Sequence, residues 1–122
     1  MPSELRPARR ARPLVWIVGG FDVDARIDLM RSLSADFEVA AAGTEPGLAP
    51  AFADAGLRYR SYSMSRGVNP VSDARGLWQL VRLFRAERPD VVHTFDTKPG
   101  VWGRLAARLA GVPVVIGTLP GL

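Results

Sequence analysis

The sequence predicts an α/β protein, a Rossmann-like doubly wound parallel sheet of about five strands in the series βαβαβαβαβ. Three observations lead there. From residue 14 to residue 122, short apolar or β-branched runs alternate with stretches of helical periodicity. The first run, Leu14-Val15-Trp16-Ile17-Val18, is apolar at every position, as suits a strand covered by helices on both faces. The length, 122 residues with 48% hydrophobic and 23% charged, allows one domain with one core and excludes a disordered chain.

The elements follow in order. Leu14–Val18 is the first strand and ends at Gly19-Gly20. Asp22 or Asp24 then caps a helix carrying Ile27, Met30 and Leu33 inward. Phe37–Ala42 reads as a second strand, stopped by Gly43. Leu48, Phe52 and Ala55 mark a short helix, with Pro50 in its first turn and Gly56 at its end. Leu57–Tyr62, more polar, suits a strand near the sheet edge. Asn69-Pro70 starts the clearest helix, where Leu77, Leu80, Val81 and Phe84 form one apolar stripe. Arg75, Arg82, Arg85 and Arg88 lie mostly off that stripe and read as a solvated face, and Pro89 ends the helix. Val91–Phe95 is the fourth strand. A helix from Pro99 to Ala110 is expected to bury Val101, Leu105 and Leu109, and Val114–Ile116 is the fifth strand.

Charge and composition exclude several functions. The net charge of +4 comes mainly from residues 1–13, where Arg6, Arg9, Arg10 and Arg12 face only Glu4. The folded part is then close to neutral and lacks the basic stripe of a nucleic-acid binder. Residues 1–13 read as a disordered arginine-rich tail, with weak contact to anionic lipid as the sharper alternative. No cysteine and one histidine leave no thiolate or histidine-rich metal site. No apolar run approaches a bilayer span and the tail is no secretory signal, so a cytoplasmic location is expected.

A doubly wound sheet binds ligands beyond the carboxyl ends of its strands, which singles out a few residues. Gly19-Gly20-Phe21 can bring backbone amides close to a phosphate, or it is simply a tight turn. It matches neither GxGxxG nor the NTPase loop. Asp22-Val23-Asp24 has the DxD spacing of a cation chelate, but capping already explains both aspartates. His93, at a strand's carboxyl end, is either a proton-transfer or polar contact residue or a structural one. Lys98, the only lysine, can meet a phosphate or sugar hydroxyls from its turn, or stand exposed. Asp96 can orient His93, bind a hydroxyl, or stabilise the turn.

The segment PDVVHTFDTKPGVWGRLAARLAGVPVVIGTLPGL, residues 89–122, resembles the N-terminal half of retaining GT-B glycosyltransferases of family 4, most of all the subgroup that builds capsules and exopolysaccharides. Its PDxVHT strand, T-K-P turn, GxxGRLAARLAGVP helix and T-x-x-GL ending carry the likeness. Met64-Ser65-Arg66-Gly67-Val68-Asn69-Pro70 is similar to the family's SRGxNP loop. The resemblance implies that residues 14–122 form the acceptor-side domain of a GT-B enzyme, incomplete at its C-terminus, whose donor-binding domain lies elsewhere. It implies transfer from a nucleotide sugar to a lipid-linked or glycan acceptor, without a metal or other cofactor, at the cytoplasmic side with peripheral membrane contact. The chain alone is then expected to be inactive. The resemblance carries over His93 as the catalytic residue, with Gly19, Gly20, Phe21, Arg66, Thr94, Asp96, Lys98, Gly100 and Thr118 binding substrate. Many members carry HTH where this chain has His93-Thr94-Phe95, so only one histidine carries over. A non-catalytic Rossmann-like binding module, or one subunit of a split glycosyltransferase, is the alternative.

Overall fold

The computed structural model describes residues 12–20, 22–64, 69–95 and 98–118. Its five strands are β1 (Leu14–Val18), β2 (Glu38–Gly43), β3 (Arg58–Ser61), β4 (Val91–Phe95) and β5 (Val114–Thr118). All neighbours are parallel, in the order β3-β2-β1-β4-β5. The chain winds outward from β1 to β3, then crosses back and winds the other way through β4 and β5. The switch point therefore lies between β1 and β4, the place where sheets of this kind bind their ligands.

The fully apolar β1 is buried at every position, and its residues divide between two cores. Val15 and Ile17 face the helices α1 (Ile27–Leu33) and α2 (Ala49–Asp54), packing with Met30 and Phe52. Leu14, Trp16 and Val18 face α3 (Pro70–Glu87) and α4 (Lys98–Ala110), packing with Leu80, Val81, Phe84, Ala106 and Ala107. Period-two alternation of a strand sets this division, and it applies equally to β4.

The helix starts and stops agree with sequence signals in most places. The Asn69 side chain accepts from the Ser72 N–H at 3.2 Å, capping α3. Gly56, at φ +75°, follows α2. The end of α3 is less ordinary: Arg88 adopts the left-handed conformation at φ 50° that glycine usually supplies, and Pro89 follows. The α1 entry differs from expectation. It begins as a 3₁₀ turn, Val23–Arg26, and the Asp22 side chain makes no capping hydrogen bond. Met30 is buried there, while Ile27 and Leu33 are only partly so. Arg12 and Pro13, expected in the tail, are tied to the domain: Arg12 donates to the Ser34 carbonyl at 2.6 Å and the Pro13 carbonyl accepts from Glu38. The rest of that tail lies outside the described residues.

The largest correction concerns α4. Val101, Leu105 and Leu109 are exposed, at 48%, 38% and 52%. The helix instead turns Gly103, Ala106 and Ala107 inward. A Cβ on Gly103 would lie 2.7 Å from Thr94 Cγ2, so only a small-residue face lets α4 approach this closely. Apolar periodicity cannot distinguish a buried small face from a large one turned outward. Val114 and Ile116 on β5 are also exposed, leaving an apolar border at that end of the sheet.

Candidate functional site

At the switch point, strand alternation sorts the expected site residues onto opposite faces. His93 and Phe95 project toward the α1 side, and Thr94 projects toward α4. His93 Nε2 lies 2.7 Å from Thr118 Oγ1, across the β4–β5 register that pairs Phe95 with Thr118. The imidazole stacks on Phe95 with centroids 4.4 Å apart, and the Arg26 guanidinium sits 4.4 Å over the Phe95 ring. Partial burial lowers the His93 pKa, and the Arg26 charge lowers it further. The neutral imidazole thus prevails near neutral pH, able to accept a proton or a hydroxyl hydrogen bond.

Thr94 takes a packing position. It is wholly buried against α4, its hydroxyl 3.4 Å from the Ile116 carbonyl, so it packs the helix onto the sheet. Gly100 is also buried, and its carbonyl accepts from Arg104 Nε at 3.1 Å. Arg104 continues over β5: its guanidinium carbon would lie 3.5 Å from a Cβ on Gly117. Arg104 is therefore a half-buried cation at the carboxyl end of the sheet.

The glycine turn is built for close packing. Gly19 donates its N–H to the Ala42 carbonyl at 2.9 Å, and a Cβ there would lie 2.8 Å from Val23 Cγ2. Its carbonyl accepts from the buried Tyr62 hydroxyl at 2.7 Å. Gly20, likewise buried, accepts from Thr44 N–H at 3.4 Å. A side chain at position 19 would force Val23 to shift, whatever ligand the turn faces.

Lys98 has a partner that sequence reasoning missed. Its Nζ lies 3.0 Å from Oδ2 of Asp73, in the first turn of α3. Asp73 is buried, with a side chain 10% exposed, and that of Lys98 is 33% exposed. Lys98 opens α4, so the pair joins the N-termini of the two helices. Both helix ends favour the carboxylate, and the ammonium neutralises it. In the sequence the only signal was an acid four residues after Asn69, which reads as dipole compensation.

Phe21, Arg66 and Asp96 lie outside the described residues. Asp22 and Asp24 are exposed, and among the described residues no group of three metal-binding side chains converges. No helix among them is long and apolar enough to cross a membrane.

A family model for a glycosyl transferase 4-like domain matches residues 27–119. The UDP-Gal:alpha-D-GlcNAc-diphosphoundecaprenol alpha-1,3-galactosyltransferase of Escherichia coli is 42% identical over 59 residues, covering 48% of this chain and 15% of that protein. Among solved structures, a UDP-N-acetylglucosamine 2-epimerase aligns with a TM-score of 0.69 at 18% identity, over 93% of this chain and 33% of that one. Acinetobacter baumannii MurG gives 0.66 at 18% identity, over 86% and 34%. A glycosyltransferase from Rickettsia africae gives 0.70 at 12%, over 88% and 30%. At these identities the structures speak for the fold, and the chain spans about a third of each of them. With the matched segment running from α1 through β5, the chain belongs to the glycosyl transferase 4-like domain family.

Proposed function

We propose that this chain is the acceptor-side half of a retaining glycosyltransferase, one that moves a sugar from a nucleotide-sugar donor to a lipid-linked or glycan acceptor in polysaccharide synthesis. One observation carries it: in a member of this family, the glycine turn, the His93–Thr118 pair and the Asp73–Lys98 pair all lie at the carboxyl end of the sheet, around its switch point. The E. coli relative, named for a UDP-galactose donor and a diphosphoundecaprenol acceptor, supports the substrate classes. In this reading the neutral His93 imidazole holds an acceptor hydroxyl, Thr118 fixes the ring, and Lys98 donates to an oxygen of either substrate. The donor-binding half is supplied by further polypeptide or a partner subunit, consistent with the share of its relatives that the chain spans. Metal-free transfer at the cytoplasmic membrane face completes the reading, on the strength of the resemblance.

The test has two parts. In NMR, a short-chain GlcNAc-diphospholipid acceptor should perturb the His93 ring and the Thr118 amide, while UDP-galactose should not. Incubated with both substrates, the isolated chain should form no product. Perturbation confined to the other end of the sheet, or transfer by the chain alone, would overturn the assignment.

A further inference from the structure

Parallel pairing of β4 with β5 sets Thr118 opposite Phe95, while the residue opposite His93 is Ile116. His93 nevertheless brings Nε2 to 2.7 Å from Thr118 Oγ1. Its side chain therefore leans along the strand toward the carboxyl end, over Phe95, the next residue on the same face. The ring of Phe95 supports that lean: the two centroids are 4.4 Å apart and the planes 22° from parallel. Phe95 is itself held in place. It is 5% exposed in the core on the α1 side, and the Arg26 guanidinium sits 4.4 Å over its ring. An imidazole restrained on its plane and at Nε2 has one nitrogen left. Nδ1 makes no hydrogen bond among the described residues and is not one of their buried unpaired atoms, so it is open to a ligand.

We propose that Phe95 is a positioning residue for His93, stacking the imidazole so that Nε2 donates to Thr118 and the Nδ1 lone pair is the atom that meets the acceptor hydroxyl. Neither restraint does this alone. A hydrogen bond to one hydroxyl lets the ring swing about that contact, and a threonine hydroxyl can either donate or accept. A stack fixes the plane but favours neither nitrogen. Acting together, they set the plane and commit Nε2. A neutral ring carries one proton, so an Nε2–H that donates to Thr118 leaves Nδ1 as the acceptor that a substrate hydroxyl needs. This rests on the acceptor-side reading above and names the reacting-side atom and the residue that aims it.

The full chain has one histidine, so its ring signals are unambiguous in NMR. Above the His93 titration, long-range proton–nitrogen correlation should show Nε2 protonated and Nδ1 bare. The ring protons should resonate upfield of those of an exposed histidine, shielded by the face of Phe95. Phe95→Leu should abolish that displacement, and Phe95→Tyr should keep it. Thr118→Val, at an exposed position, should reduce it while leaving the core untouched. Titration with the short-chain GlcNAc-diphospholipid acceptor should move the Nδ1 signal, and Phe95→Leu should weaken that acceptor about three- to tenfold, the range a ring stack is worth. In a His93→Ala background Phe95→Leu should weaken it no further, because its effect passes through the imidazole. Circular dichroism checks that each variant folds. A protonated Nδ1, an undisplaced ring, or equal weakening in both backgrounds would overturn the proposal. Acceptor binding that never touches His93 would remove the acceptor-side reading and the substrate role of Nδ1 with it, and the spectra of the free chain then decide the stack by itself.

Discussion

Substituting Gly103 with alanine puts a methyl group where α4 meets the sheet. The new Cβ would lie 2.7 Å from Thr94 Cγ2 and 3.2 Å from Val18 Cγ1, against ordinary contacts of 3.4 Å or more. Both neighbours are wholly buried, and the Thr94 hydroxyl is engaged with the Ile116 carbonyl. Rotating Thr94 away costs that bond, so α4 must lift by several tenths of an ångström along its contact with β1 and β4. Overpacking of this kind costs about 1–3 kcal/mol. Alanine regains up to about 1 kcal/mol of helix propensity over glycine, which leaves a net loss of about 1–2 kcal/mol. Urea unfolding followed by circular dichroism should show a lower midpoint at unchanged slope. Gly47→Ala, where nothing lies within 4 Å, should be neutral or slightly stabilising. The decisive variant is Gly103→Ala with Thr94→Ser. Serine lacks Cγ2, so the double change should cost clearly less than the two single costs together. Strict additivity, or a Gly103→Ala protein as stable as the parent, would refute the packing argument.

A double-mutant cycle of Asp73→Asn and Lys98→Met should give a coupling of about 1–2 kcal/mol, between exposed and buried ion pairs; a value near zero would detach Lys98 from α3. The His93 ring should titrate below 6.5 by NMR, and Arg26→Ala should raise its midpoint by removing the nearby charge, a shift whose absence would discount Arg26. Because the folded-state pKa is depressed, the stability contributed by neutral His93 is complete above about pH 6.5 and declines as pH falls toward the folded pKa. At the exposed border, Ile116→Lys should reduce self-association of the chain in sedimentation velocity at tens of micromolar, since a charge blocks edge pairing; equal association by parent and variant would clear β5 of that role.

Much of the fold was legible because each signal was local. The all-apolar Leu14–Val18 run, the Asn69-Pro70 start and the Gly56 stop each depend on a few neighbouring residues, and each stands where the sequence places it. The polar third strand also lies at the sheet edge, as its composition suggests. Reading failed at α4 for a physical reason. Val101, Leu105 and Leu109 form a valid apolar stripe, but Gly103, Ala106 and Ala107 form the face that fits tightly against β1 and β4. Arg104 and Arg108 likewise share a helical spacing, yet Arg104 lies over Gly117 while Arg108 is exposed.

The sequence by itself determined the fold class and the element order, because hydrophobic period, caps and right-handed crossovers are properties of short segments. It also carried the family likeness in residues 89–122. Only the tertiary structure decided which residues meet. Strand alternation put His93 with Thr118 and buried Thr94 on the other face, and helix packing joined Lys98 to Asp73 across 25 positions of sequence. Such pairings depend on distances between elements, which no single segment encodes.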